Sequence, residues 1–166
     1  MTNDNVTEIL KQAILLEKRG YSFYNTVADQ TKNLEIKKIF QIMADEETIH
    51  IKILSDQYLS LMKYDSFETI VLPEIPGTLP GMILSEEIKK NIASAGYEAA
   101  AIAAAIDMEN KAIEMYGKQA QITTDTNEKS LFSWLEQWEN GHLKILSDLD
   151  NELKEKIWFD NQFWPF

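Results

Sequence analysis

The sequence predicts an all-α protein, a four-helix bundle made of two similar helix pairs with a long crossover between helices 2 and 3. Three observations carry this. Four long stretches set apolar residues at three- and four-residue spacing, the period of a helix with one buried face. Between the second and third stretches, the segment 65–84 gathers Pro73, Pro76 and Pro80 with Gly77 and Gly81, and no helix runs through it. Finally, the first half shifted by 92 positions registers on the second without a gap: Glu17 on Glu109, Tyr24 on Tyr116, Phe40 on Phe132, Glu47 on Glu139, His50 on His142 and Leu54 on Leu146.

Taken in order, Asn5 followed by Glu8 reads as a capping box opening the first helix, which runs to about Ala28. Its inner stripe is Leu10, Ala13, Ile14, Glu17, Tyr21, Tyr24 and Ala28. The polar segment 29–33 is short, so the second helix returns antiparallel and ends near Met62 to Tyr64. Its apolar stripe of Ile36, Ile39, Phe40, Met43, Leu54 and Leu61 passes through Glu47 and His50. Residues 65–93 form the crossover, with a short connecting helix expected over 85–93. The third helix spans about 94–121 with Ile102, Ala105, Glu109, Ala112, Ile113, Tyr116 and Ala120 inward. The fourth starts near Lys129 and presents Leu131, Phe132, Leu135, Glu139, His142, Leu146, Leu149 and Leu153. The helix pairs are thus 5–64 and 94–155, and 156–166 is an aromatic tail read as a flap packed on its own bundle or on a second copy.

Composition narrows the partners. A chain of 166 residues with 45% apolar and 26% charged residues suits one domain, 1–166, with a real core. A net charge of −11 without a basic stripe argues against nucleic acid or an anionic membrane. No apolar run reaches the length of a membrane span, and the start Met1-Thr2-Asn3-Asp4 lacks the features of a signal peptide. The absence of cysteine excludes thiolate metal sites, iron–sulfur centres and disulfides, and fits a cytoplasmic location.

The chemistry lies in the polar residues on the core stripes. Glu47 and His50 are three apart on one helix face, as are Glu139 and His142, and these are the only two histidines in the chain. An ionised carboxylate in a core costs several kcal/mol unless it is compensated, and a metal ion compensates it. Glu17 precedes Glu47 by thirty residues, and Glu109 stands in the same relation to Glu139. At about 1.5 Å rise per residue, a hairpin folded over that length brings both to one depth. Four carboxylates and two imidazoles then meet from four helices. Two divalent ions carry the charge that four carboxylates cancel. A set rich in oxygen, with one nitrogen per ion, suits iron or manganese, and zinc would also bind. Glu46, four residues before His50, is read as solvated because its repeat mate is Trp138. Glu136, the mate of Ala44, is read the same way. Trp134 and Trp138 are read as core residues, and Tyr24 and Tyr116 as core residues or as donors to bound carboxylates.

These residues resemble the ferritin-like superfamily, and within it the rubrerythrin-like proteins, over nearly all of residues 5–155. The matching residues are Glu17, Glu47, His50, Glu109, Glu139 and His142, with Tyr24 and Tyr116 each seven residues after a helix Glu. The resemblance implies a pair of iron ions on those six residues, with Glu47 and Glu139 bridging and Glu17 and Glu109 terminal. It implies reduction of H₂O₂ or O₂ coupled to Fe(II) oxidation. Two departures stand out. Rubrerythrins carry an additional Glu on the third helix three residues before the first, and that position is Ile106 here; neither Asp107 nor Glu98 replaces it. The six-ligand set is in this respect closer to bacterioferritin-type centres. The Cys-ligated rubredoxin domain is also missing, which implies a separate electron donor. A homodimer or larger homo-oligomer is expected. Two other readings stay open: iron binding or storage without turnover, and an oxygenase, for whose organic substrate Ala101 to Ala105 would leave room.

Overall fold

The computed structural model describes residues 3–76 and 96–160, with side chains over 5–76 and 96–155. Four helices account for most of them: α1 (Asn3–Gln30), α2 (Leu34–Tyr64), α3 (Tyr97–Ile122) and α4 (Thr126–Asp160). α1 packs along α2 and α3 along α4, and the two hairpins meet in a four-helix bundle. The long connection runs between α2 and α3, as the repeat requires.

The helix ends differ from the sequence reading by a few residues. α1 begins at Asn3, so Asn5 lies inside it, and Glu8 pairs with Lys11 at 2.7 Å instead of reaching back to Asn5. Asn33 caps α2: its side chain accepts from the Glu35 and Ile36 amides at 3.0 and 3.1 Å, two groups the helix leaves unpaired. α2 stops at Asp65, whose φ of 59° is left-handed and whose amide returns to Leu61 O at 3.0 Å. α4 starts at Thr126, three residues before the expected Lys129, because Asp125 Oδ1 takes the Glu128 amide at 2.8 Å. Its backbone stays helical through Asp160, so the first five residues of the expected tail extend α4. The connecting helix over 85–93 and the tail beyond 160 lie outside the described residues.

Two apolar clusters fill the bundle. One holds Tyr24, Phe40, Met43, Ile102, Leu146 and Leu149. The other holds Leu10, Leu54, Tyr116, Phe132, Leu135 and Trp138. In every helix the residues of one cluster precede the conserved-spacing Glu and those of the other follow it, so the polar positions occupy the layer between. The stripe of α1 shifts from Tyr21, which is 37% exposed, to Gly20 and Tyr24, since 3.6 residues per turn carries position 21 off the inner face.

The first part of the crossover is a strap held from outside by polar side chains. Buried Gln57 donates to Glu68 O at 2.9 Å and accepts from the Glu68 amide at 3.0 Å, replacing a strand partner. Ser60 donates to Ser66 O at 3.1 Å, and Trp134 Nε1 to Pro73 O at 2.8 Å. Phe67 enters the second cluster between these ties.

Removing the α2 cap has a defined cost. Asn33→Ala should lower stability by about 1 kcal/mol, read as an earlier urea midpoint, while Asn33→Asp keeps most of it. Equal midpoints for all three proteins would show that the cap contributes nothing.

Candidate metal centre

The middle layer of the bundle is polar. Glu17 comes from α1, Glu47 and His50 from one turn of α2, Glu109 from α3, and Glu139 and His142 from one turn of α4. None of the six is more than 3% exposed. They form two quartets, Glu17–Glu47–His50–Glu139 and Glu47–Glu109–Glu139–His142, and within each the donor atoms lie within 4.8 Å of one another. Glu47 and Glu139 belong to both.

The geometry repeats under the 92-residue shift. His50 Nδ1 is 3.2 Å from Glu17 Oε2, and His142 Nδ1 is 3.4 Å from Glu109 Oε1. Within each helix turn the imidazole–carboxylate distances are 3.3 Å for His50–Glu47 and 3.0 Å for His142–Glu139. Across the bundle they are 3.0 Å for His50–Glu139 and 3.7 Å for His142–Glu47. The phenols cross between the halves: Tyr24 of α1 donates to Glu109 Oε1, and Tyr116 of α3 donates to Glu17 Oε1.

Several of these atoms approach closely without bonding. Neither oxygen of Glu139, nor His142 Nδ1, has a hydrogen-bond partner, although each Glu139 oxygen lies 3.0 Å from an imidazole nitrogen. Buried polar atoms are almost always paired, and leaving one unpaired costs about 1–3 kcal/mol. The unpaired lone pairs of Glu139 and His142, close to other donors yet unaligned for hydrogen bonding, suit ligands of a shared cation. Four carboxylates and two imidazole nitrogens, without sulfur, are a donor set that iron or manganese satisfies. The site residues fit a di-iron pair.

The electrostatics show how strongly the six groups act on one another. Burial, and then the charges of Glu17 and Glu139, push the Glu47 carboxyl well above its usual range. Burial and Glu139 push Glu109 up to about 8. Burial opposes charge on His50, but Glu139, Glu17 and Glu47 outweigh it and raise its pKa. His142 is raised in the same way by Glu109, Glu139 and Glu46. For Glu139, burial is outweighed by His50 and His142, which hold its carboxyl well below the usual range.

The rubrerythrin family profile matches residues 8–150, which include all six of these side chains. The chain belongs to the rubrerythrin family. Among solved structures, a hypothetical protein from Pyrococcus furiosus superposes with a TM-score of 0.64 at 23% identity, covering 90% of each chain, which shows a shared fold. No curated protein matches the sequence. The family assignment and the two buried Glu/His quartets together support a di-iron protein of oxidoreductase type.

In this rubrerythrin-family bundle the remaining polar residues fall as follows. Asp107 pairs with Lys111 at 3.0 Å on the surface, and Glu98 accepts from Thr31 Oγ1 at 2.9 Å near the α1–α2 turn. Ile106 packs on the first apolar cluster. Trp134 and Trp138 are buried core residues, and both set ring edges against His50. Glu46 is not the solvated residue its sequence position suggests. Its side chain is 12% exposed, and Oε2 is 2.6 Å from His142 Nε2 and accepts from Trp138 Nε1 at 2.9 Å. Glu46 and Trp138 are repeat mates standing close to the pseudo-two-fold axis, where a residue meets its own counterpart. An unlike repeat pair, one position before a ligand-type Glu, was the available signal. Glu136 is half-buried across Gly117, where an added Cβ would lie 2.5 Å from its Oε1. Gly20 is a second residue the stripe analysis overlooked: a Cβ there would meet Glu47 Cδ and Oε1 at 3.4 Å, so glycine leaves space over that carboxylate.

These shifts predict a pH dependence. Glu47, Glu109, His50 and His142 all have raised folded-state pKa values. Their stabilisation is complete below the unfolded values and is lost as pH rises through the folded ones, about 8 for Glu109. Glu139 acts oppositely, losing its contribution only as pH falls below the normal carboxylate range. The metal-free protein should therefore melt at lower temperature at about pH 8.5 than at about pH 6, and saturating Mn(II) should raise Tm more at the higher pH, because binding displaces those protons. A metal-induced rise in Tm that is independent of pH would contradict this.

Proposed function

We propose that the chain is a rubrerythrin-type di-iron oxidoreductase that reduces H₂O₂ or O₂ while Fe(II) is oxidised. The observation that carries this is the sharing of Glu47 and Glu139 between two buried quartets in which both Glu139 oxygens and His142 Nδ1 lack hydrogen bonds. On this reading Glu17, Glu47, His50 and Glu139 would hold one ion, and Glu47, Glu109, Glu139 and His142 would hold the other. A bound Fe(II) pair supplies two electrons, which with two protons convert H₂O₂ to two waters.

The protein's own residues do the rest. Tyr24 and Tyr116 hold the outer carboxylates by donating to them, each fixing a Glu of the opposite half. Burial raises the Tyr24 pKa well above its ordinary value, so the phenol stays protonated as a donor. A cavity of about 10 Å³ lies against the carboxylates, lined by Leu16, Gly20, Met108 and Ala112 among others. It has room for about one water-sized molecule. Ala101 and Ala105 are packed in the first apolar cluster. These 166 residues hold no cysteine, so on this reading electrons for turnover would come from outside the helical bundle. Ile106, where an additional carboxylate is found in rubrerythrins, favours a second reading, iron binding with little peroxide turnover.

Anaerobic Fe(II) loading followed by desalting tests this. The wild type should retain two irons per chain, and Glu47→Ala should lose both, because Glu47 serves both quartets. Loaded protein mixed with H₂O₂ and with O₂ then separates the readings. Oxidation faster than that of free Fe(II) supports the enzyme. Retained iron without such acceleration supports the binding protein. Failure to retain iron would remove both.

A further inference from the structure

The two halves of the centre match at every ligand-type position and differ in what holds the far side of each imidazole. On one side, His142 Nε2 lies 2.6 Å from Glu46 Oε2. On the other, His50 Nε2 is buried without a hydrogen-bond partner. The cause is an unlike repeat pair beside the ligand-type residues. The counterpart of Glu46 is Trp138, so the place from which a carboxylate would serve His50 holds an indole, its ring 4.9 Å from the imidazole and edge-on. Trp134 closes the same side at 5.5 Å. Trp138 also donates to Glu46, so the substitution that deprives His50 of a partner steadies the partner of His142.

We infer that Glu46 is a positioning residue that makes the two metal sites unequal, with the His142 site the tighter. This rests on the metal-centre reading above. A carboxylate on Nε2 makes that nitrogen the N–H and leaves the Nδ1 lone pair facing Glu47, Glu109 and Glu139. It also fixes the ring plane and raises the basicity of Nδ1. On its Nε2 side His50 has only packing to orient it. Its Nε2–H is left without an acceptor when Nδ1 binds a metal, a cost that falls on that site alone. Loss of such a partner lowers metal affinity by roughly 10- to 100-fold, and the gap between the sites should be of that order.

The test is calorimetric titration of the metal-free protein with Co(II), with the visible Co(II) absorption followed in parallel. The wild type should bind two ions in separate steps, and His142→Ala should abolish the tighter one. Glu46→Ala should weaken the tighter step roughly 10- to 100-fold and leave the weaker in place. Glu46→Gln, whose amide oxygen still accepts from Nε2–H, should restore most of the difference, which a general loss of packing would not. Two indistinguishable steps in the wild type, or a Glu46→Ala profile like the wild type, would overturn the inference while keeping the metal centre. Equal losses in Glu46→Ala and Glu46→Gln would also overturn it. Binding of no Co(II) by the wild type would overturn the centre itself.

Discussion

The structure depends on holding four carboxylates and two imidazoles in one water-excluded layer of the bundle. Such a set is unfavourable by itself: burial and mutual repulsion drive Glu47 and Glu109 toward their protonated forms, and the histidines are drawn toward the charged form to offset Glu139. A bundle of this size accepts the layer only if the rest is well packed, and the apolar clusters above and below supply that packing. Divalent cations would convert the same layer from a liability into a cross-link between all four helices. Fold and site are in this sense one arrangement, because each ligand-type residue is also a core position of its helix.

The internal two-fold explains how so many groups are oriented at once. Each phenol reaches the glutamate of the other half, and every imidazole–carboxylate contact among the six ligand-type residues has a counterpart 92 residues away. A pseudo-symmetric centre would treat its two sites alike. The Glu46–Trp138 pair prevents this, since residues beside the axis meet their own mates, and a change at one such position alters both halves in opposite directions. The cavity between α1 and α3 shows a related economy. Its small residues Gly20 and Ala112 are also repeat mates, and together they leave space over the carboxylates.

Much of this was legible in the chain. The 3–4 periodicity marked which face of each helix is buried, and on those faces Glu17, Glu47, His50, Glu109, Glu139 and His142 were the polar residues out of place. The helix ends were less legible, because Asn33 and Asp125 each had competitors of similar capping strength nearby. Tyr21 was misplaced because an approximate spacing of four drifts off the inner face within a few turns, whereas Tyr24 stays on it.

The sequence alone determined the four helices, the long crossover, the membership of the polar layer and the family resemblance, because periodicity, proline placement and an ungapped repeat are local or self-referential properties of the chain. Tertiary structure decided which atoms face one another: the crossed Tyr–Glu bonds, the sharing of Glu47 and Glu139 by both quartets, the strap pinned by Gln57 and Trp134, and the pairing of Glu46 with His142. Those contacts join residues distant in the chain, and their angles and distances follow from how the two hairpins dock. A carboxylate such as Glu46 reads as solvent-facing from its own helix and becomes a partner of the centre only when the opposite helix is brought against it.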